Sequence, residues 1–305
     1  MNLSSGMPWE TINITALSRD RDLFLLMLQE AKQQAQSKQK GKTVIYTAYG
    51  PEWRPFGNPR RKRPLDSVVL DKDITQDVLI DVEKFLSSSK WYNDRGIPYR
   101  RGYLFYGPPG SGKSSFIQSL AAELDYNICV LNLADHGMTD DRFAHLLNNL
   151  PPKSVILLED IDAAFSDRSA ETIKAIAKTN ANSYMSSLTL SGLLNGLDGV
   201  VAAEERIVFM TTNYPERLDS ALTRPGRIDY KVKLDNLTLD QASRMFQRFY
   251  SNTNHDEDQE LIRFQERITQ LGLVGKCSPA SLQSHFIYYR NSSIQAVDNL
   301  AALSP

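Results

Sequence analysis

One octapeptide limits the folds open to this chain more than any other stretch: Gly107-Pro108-Pro109-Gly110-Ser111-Gly112-Lys113-Ser114. It stands between the apolar run Leu104-Phe105-Tyr106 and a helical pattern over residues 115–124. Glycines at this spacing let backbone N–H groups close around phosphate oxygens, and the following helix directs its positive end at them. A lysine in such a loop holds β- and γ-phosphates, and the next hydroxyl ligates Mg²⁺, an ion that prefers oxygen donors. The motif predicts that Gly107, Pro108, Pro109, Gly110, Ser111, Gly112, Lys113, Ser114 and Ser115 bind ATP, with Ser114 also on Mg²⁺. A chance glycine-rich turn is the competing reading, and the flanking strand and helix argue against it.

From Gly102 onward strand and helix signals alternate, the pattern of a parallel sheet covered by helices and hence of an α/β fold. Candidate strands cover residues 102–106, 128–133, 154–158, 207–212 and 230–234. The third runs into Glu159-Asp160-Ile161-Asp162, placing carboxylates at the carboxyl end of a parallel strand, where they face bound phosphates. Of Glu159 and Asp160, one carboxylate is expected to support the Mg²⁺ shell and its neighbour to orient water. An acidic solvated loop would look the same in isolation. The fourth strand ends on Asn213, whose amide suits the attacking water or the γ-phosphate, or else caps a turn. Beyond it, Arg224-Pro225-Gly226-Arg227 offers guanidinium groups of the kind a neighbouring subunit inserts to stabilise a phosphoryl group in transfer. Surface ion pairs, for instance with Asp229, are the plainer use of these arginines.

With 305 residues, 41% of them hydrophobic, the chain suits one sizeable α/β core and a smaller companion. Residues 9–17 and 43–49 alternate like strands, with a helix between them that opens near Ser18 and fades through residues 32–40. They read as a separate α+β domain over residues 1–62. Pro59-Arg60-Arg61-Lys62-Arg63-Pro64 reads as a solvated linker, because proline at both ends opposes regular structure. A helix is expected over residues 75–88. The large ATPase subdomain then spans residues 63–235, and a helical lid follows over residues 236–305. Lys and Arg number 35 against 36 Asp and Glu, so no overall field draws nucleic acid to the chain. Two cysteines are too few for a disulfide framework and suit a reducing compartment. His136, His145, His255 and His285 lack metal-ligand spacing. No run approaches the length of a membrane span.

Taken together, Gly107 to Ser114, Glu159-Asp160-Ile161-Asp162, Asn213 and Leu218-Asp219-Ser220-Ala221-Leu222-Thr223-Arg224-Pro225-Gly226-Arg227-Ile228-Asp229 resemble the AAA ATPase module. The resemblance covers roughly residues 66–290. It implies that Gly96 and Ile97 line the adenine pocket, that Asn213 is sensor 1, and that Arg224 and Arg227 are arginine fingers. Gly41-Lys42-Thr43-Val44-Ile45-Tyr46, Glu52-Trp53-Arg54-Pro55-Phe56-Gly57 and Arg95-Gly96-Ile97-Pro98-Tyr99-Arg100-Arg101-Gly102-Tyr103 carry a narrower one. They resemble the mitochondrial inner-membrane AAA chaperones of respiratory complex III assembly, which move the folded Rieske iron-sulfur protein across that membrane. Membership would imply a homo-oligomeric ring, a heptamer, with ATP between subunits and the ATPase module in the matrix. It would also imply a membrane helix ahead of Met1, making this chain a fragment.

Two features depart from the general AAA pattern. The usual Asp-Glu pair appears as Glu159-Asp160, which leaves the division of roles within the pair open. The loop over residues 134–141 lacks the aromatic-apolar-glycine motif with which threading unfoldases grip an extended chain, although Met138 could still touch substrate. The expected function is therefore ATP-driven movement of a folded protein. A threading unfoldase and a nucleotide-gated scaffold with slow hydrolysis are the alternatives.

Overall fold

The computed structural model describes residue 15 and residues 22–39, 41–135, 137–163, 188–198, 205–251 and 257–303. The chain divides into two compact units, residues 1–41 and 42–305. In the first, helix α1 (Asp22–Gln39) opens on an aspartate at its positive end and continues in good helix formers. The strand expected over residues 9–17 lies outside the described residues except for Thr15, as do residues 166–187.

The second unit contains the strands β1 (Lys42–Thr43), β2 (Ile45–Tyr49), β3 (Glu52–Pro55), β4 (Arg60–Arg61), β5 (Arg100–Tyr106), β6 (Asn127–Asn132), β7 (Ser154–Glu159), β8 (Arg206–Thr212) and β9 (Tyr230–Lys233). Seven of them form one sheet in the order β3-β2-β6-β7-β8-β5-β9. All neighbours are parallel except the β2–β3 hairpin. Strand β5, which leads into the glycine loop, therefore lies between β8 and β9, and the carboxyl ends of β5, β7 and β8 meet at one edge.

Period-two alternation along these strands serves two faces, as expected of a parallel sheet covered on both sides. Tyr103 and Phe105 of β5 and Val155 and Leu157 of β7 pack with α2 (Lys72–Leu86) and α4 (Lys113–Glu123). Leu104, Ile156 and Leu158 turn the other way, toward α5 (Asp140–Asn148) and α6 (Leu190–Asp198). Helix α3 (Ser89–Asn93) lies between α2 and β5 in sequence. A bidentate pair from Arg101 to Asp81, at 2.8 and 2.7 Å, ties α2 to β5, and the Tyr103 hydroxyl donates to the same carboxylate at 2.7 Å.

A third core belongs to α7 (Leu239–Tyr250), α8 (Glu257–Gln270), α9 (Pro279–Tyr288) and α10 (Ser293–Asp298), packed around Phe246, Phe264 and Phe286. Helix α7 opens with a capping box in which the Thr238 hydroxyl accepts from the Gln241 N–H.

Two expectations about the amino-terminal part change. The strand expected over residues 43–49 is not confined to a small separate domain, because β2 runs parallel to β6 and Ile45 pairs with Ile128. Without it β6 would expose a full row of backbone donors and acceptors. Trp53 fixes the hairpin by donating from Nε1 to the Leu146 carbonyl at 2.9 Å. The basic tract expected as a free linker contains β4, which pairs with β1, and Lys62 forms an ion pair with Asp125 just beyond α4.

Candidate nucleotide cleft

A cleft of about 540 Å³ opens where the carboxyl ends of β7 and β8 meet the start of α4, with α7 and α9 on its far wall. Its floor is the glycine loop. Gly112 caps α4 with φ 99°, a left-handed conformation that glycine adopts without a Cβ penalty. At Gly107 a Cβ would stand 1.9 Å from the Leu234 carbonyl oxygen, so only glycine lets the loop leave the sheet this close to β9.

Lys113 lies at the first turn of α4 and is 7% exposed. Its ammonium donates to the carbonyls of Gly107 at 2.8 Å and Pro108 at 3.0 Å, and to Asn213 Oδ1 at 2.8 Å. Burial pushes its pKa below the ordinary lysine value, while Asp160 and Asp162 pull it back. The Asn213 Nδ2 donates to Asp160 Oδ1 at 3.3 Å, so lysine, asparagine and aspartate form one chain of hydrogen bonds.

Asp160 takes φ 46°, a region in which Asp is among the more tolerated non-glycine residues. Its N–H donates to Thr211 Oγ1 at 3.1 Å, and the next N–H, of Ile161, donates to the Thr211 carbonyl. This turn aims Asp160 into the cleft, whereas Glu159, the last residue of β7, is not among the lining residues. Asp162 is buried and accepts from the Thr212 hydroxyl at 2.6 Å and the Asn213 N–H at 3.4 Å. It fixes the backbone from which Asn213 projects.

The donors fit a magnesium polyphosphate. The loop presents a helix start and a lysine ammonium, and Ser114 and Asp160 put oxygen atoms on the same cleft, the donor type that Mg²⁺ prefers.

The comparisons with known proteins agree with this architecture. The model of the ATPase family associated with various cellular activities (AAA) matches residues 103–236, one described as BCS1 N terminal matches residues 1–68, and one described as the mitochondrial chaperone BCS1-like ATPase lid domain matches residues 239–302. Among curated relatives, the mitochondrial chaperone BCS1 of Danio rerio is 49% identical over 305 residues, covering 99% of this chain and 70% of the relative. The chain belongs to the mitochondrial chaperone BCS1 family. The human mitochondrial chaperone BCS1 is 48% identical over 305 residues, with the same two coverages. The probable mitochondrial chaperone bcs1 of Schizosaccharomyces pombe is 51% identical over 297 residues, 97% of this chain but 63% of the relative. The chain thus spans 63 to 70% of the length of these relatives.

Within this BCS1-family chain the other expected site residues fall in three places. Pro109 through Ser115, Asp160 and Asn213 line the cleft, while Gly107 and Pro108 contribute through the carbonyls that hold Lys113. Gly96 and Ile97 do not line it. They form the turn after α3, closed by the Ile97 N–H on the Tyr92 carbonyl, and Ile97 is 43% exposed. Tyr92, half-buried, packs its ring against Phe85 and Tyr99 of the core.

The two arginines beyond β8 separate as well. Arg224 is exposed and has no ion pair among the described residues, whereas Arg227 is bound within its own chain, to Asp198 at 2.6 Å and the Ala221 carbonyl at 2.7 Å. Met138 is 1% exposed and packs in the core with Phe143 and Leu193, so it does not reach a substrate.

Sequence reasoning passed over the rest of the lining, which includes Arg63, Ser67, Val68 and Val69 with Met245, Arg248 and Phe249 of α7. A signal for it exists in Leu65-Asp66-Ser67-Val68-Val69-Leu70, a short apolar run directly after the basic tract. Arg244 and Arg248, one helical turn apart on α7, donate to the Leu70 and Asp66 carbonyls, both at 2.5 Å, and hold that run against α7.

Proposed function

We propose that this chain hydrolyses MgATP in the cleft and does so as one subunit of a homo-oligomeric ring. The observation that carries the reading is the hydrogen-bonded chain Lys113–Asn213–Asp160 at the cleft floor, beside a glycine loop that can take the phosphates. Lys113 binds the β- and γ-phosphates, Asn213 orients the attacking water between itself and Asp160, and Asp160 receives the water's proton. Bound Mg²⁺ supplies charge neutralisation on the phosphate oxygens, with Ser114 as its hydroxyl ligand and Glu159 as support behind Asp160.

Arg224 is the finger that enters a neighbour's cleft. Its exposure and lack of a described partner support that role, and the ion pair to Asp198 makes Arg227 the anchor of the segment that presents it. The work done is movement of a folded protein, for which the family's members suggest the Rieske iron-sulfur protein and assembly of respiratory complex III at the mitochondrial inner membrane. The burial of Met138 favours this over a threading unfoldase. Among the described residues no helix is long and apolar enough to cross a membrane.

The test is ATPase rate against protein concentration for the parent, Lys113→Ala, Arg224→Ala and an equimolar mixture of the two variants. Shared sites give a rate that rises with assembly and activity regained on mixing. A concentration-independent rate that Arg224→Ala leaves unchanged would reject the ring mechanism and leave a monomeric nucleotide switch, the scaffold alternative.

A further inference from the structure

We propose that Arg63 contacts the base of the nucleotide, its guanidinium plane lying against the purine face. The proposal rests on the ATP-binding reading of the cleft and adds a recognition residue from outside the AAA motifs.

Arg63 is half-buried and lines the cleft. Its Nε donates to Ser67 Oγ at 2.8 Å, and among the described residues no carboxylate lies within ion-pair range of it. A half-buried cation held only by a neutral hydroxyl is incompletely compensated, and a ligand that presents electron density to it stabilises it. The glycine loop and Lys113 already supply donors for the phosphates, which leaves the base as the part of the nucleotide that meets this need. The cleft that Arg63 lines also presents Val68, Val69, Met245 and Phe249, apolar surface that suits an aromatic ring. A planar guanidinium stacks on such a ring through cation–π attraction and its own flat face.

The position is also built. One residue before Arg63, Lys62 pairs with Asp125 at the far end of α4, and the residues before that form β4 on β1. One residue after it, Pro64 fixes the backbone that enters the turn Leu65–Ser67, from which Ser67 returns its hydroxyl. Arg248 differs, since its Nη1 donates to the Asp66 carbonyl and has the Asp66 carboxylate at 3.8 Å.

Calorimetric titration of the whole chain with MgATP and with magnesium tripolyphosphate, which has the phosphates but no base, tests this. Arg63→Ala is expected to weaken ATP about tenfold while leaving tripolyphosphate unchanged. Arg63→Lys keeps the charge without the flat face and is expected to lose most of the same factor. Ser67→Ala, which frees the guanidinium without removing it, is expected to lose about threefold. An equal loss for both ligands would make Arg63 a phosphate residue and overturn the proposal, as would no loss for either. If Arg63→Ala does not fold, as judged by its thermal transition, Arg63→Lys and Ser67→Ala decide the matter by the same pair of ligands. ATP binding that Lys113→Ala leaves intact would instead overturn the nucleotide reading of the cleft, and this proposal with it.

Discussion

The two ends of the cleft are built differently. The phosphate end comes from one unbroken stretch, Pro109 to Ser115, joined by Asp160 and Asn213 at the tips of neighbouring strands. The other end is gathered from residues between Arg63 and Val69 and between Met245 and Phe249, two segments far apart in sequence. Binding phosphate needs backbone N–H groups at fixed spacing, a requirement that few sequences meet and that can therefore be read as a motif. Enclosing a flat apolar group needs only apolar surface of about the right shape, which many residues supply and no spacing records.

This contrast can be broken by mutation, and the phosphate end should respond most. Lys113→Ala is expected to lower the ATPase rate by about 10³-fold, since it removes a preorganised charge from the reacting phosphates. A loss below tenfold in steady-state turnover would mean that the reaction does not occur at this end. Next, Phe249→Ala is expected to raise KM for ATP about tenfold with kcat nearly unchanged, the pattern of an interaction present equally in ground and transition states. A fall in kcat with KM constant would show that the apolar wall takes part in the chemistry. The smallest effect is expected from Arg244→Ala, which loses the hydrogen bond to the Leu70 carbonyl and costs about 1 kcal/mol in denaturant unfolding. A loss of less than about 0.3 kcal/mol would mean that the clasp between α7 and residues 65–70 contributes little to the wall.

The same distinction separates what was legible in the sequence from what was not. Strands β5 to β9 lie within two residues of their expected positions, because β5 to β8 carry apolar runs buried on both faces and the edge strand β9 alternates exposed lysines with a buried valine. The glycine turn between β5 and α4 was legible from the spacing of its glycines. The placement of β2 was not, because alternation over residues 43–49 marks a strand without saying which edge it joins. Gly96 and Ile97 came from resemblance alone, and the fold puts them in a turn outside the cleft. Arg224 and Arg227 look equivalent in the sequence. Only the fold brings Asp198, at the end of α6, to one of them and leaves the other exposed.

Lys113 already has its donors engaged, on two carbonyls and on Asn213. An arriving anion therefore does not relieve a bare charge. It must displace neutral oxygens that are already in place, so each exchange gains only the difference between a bond to an anion and a bond to a neutral oxygen. A small monovalent anion gains little from such a trade, while a polyphosphate that also engages the loop amides, Ser114 and Asn213 gains at several points together. The contacts that hold Lys113 thus act as a threshold that favours an anion with several points of attachment over a simple one.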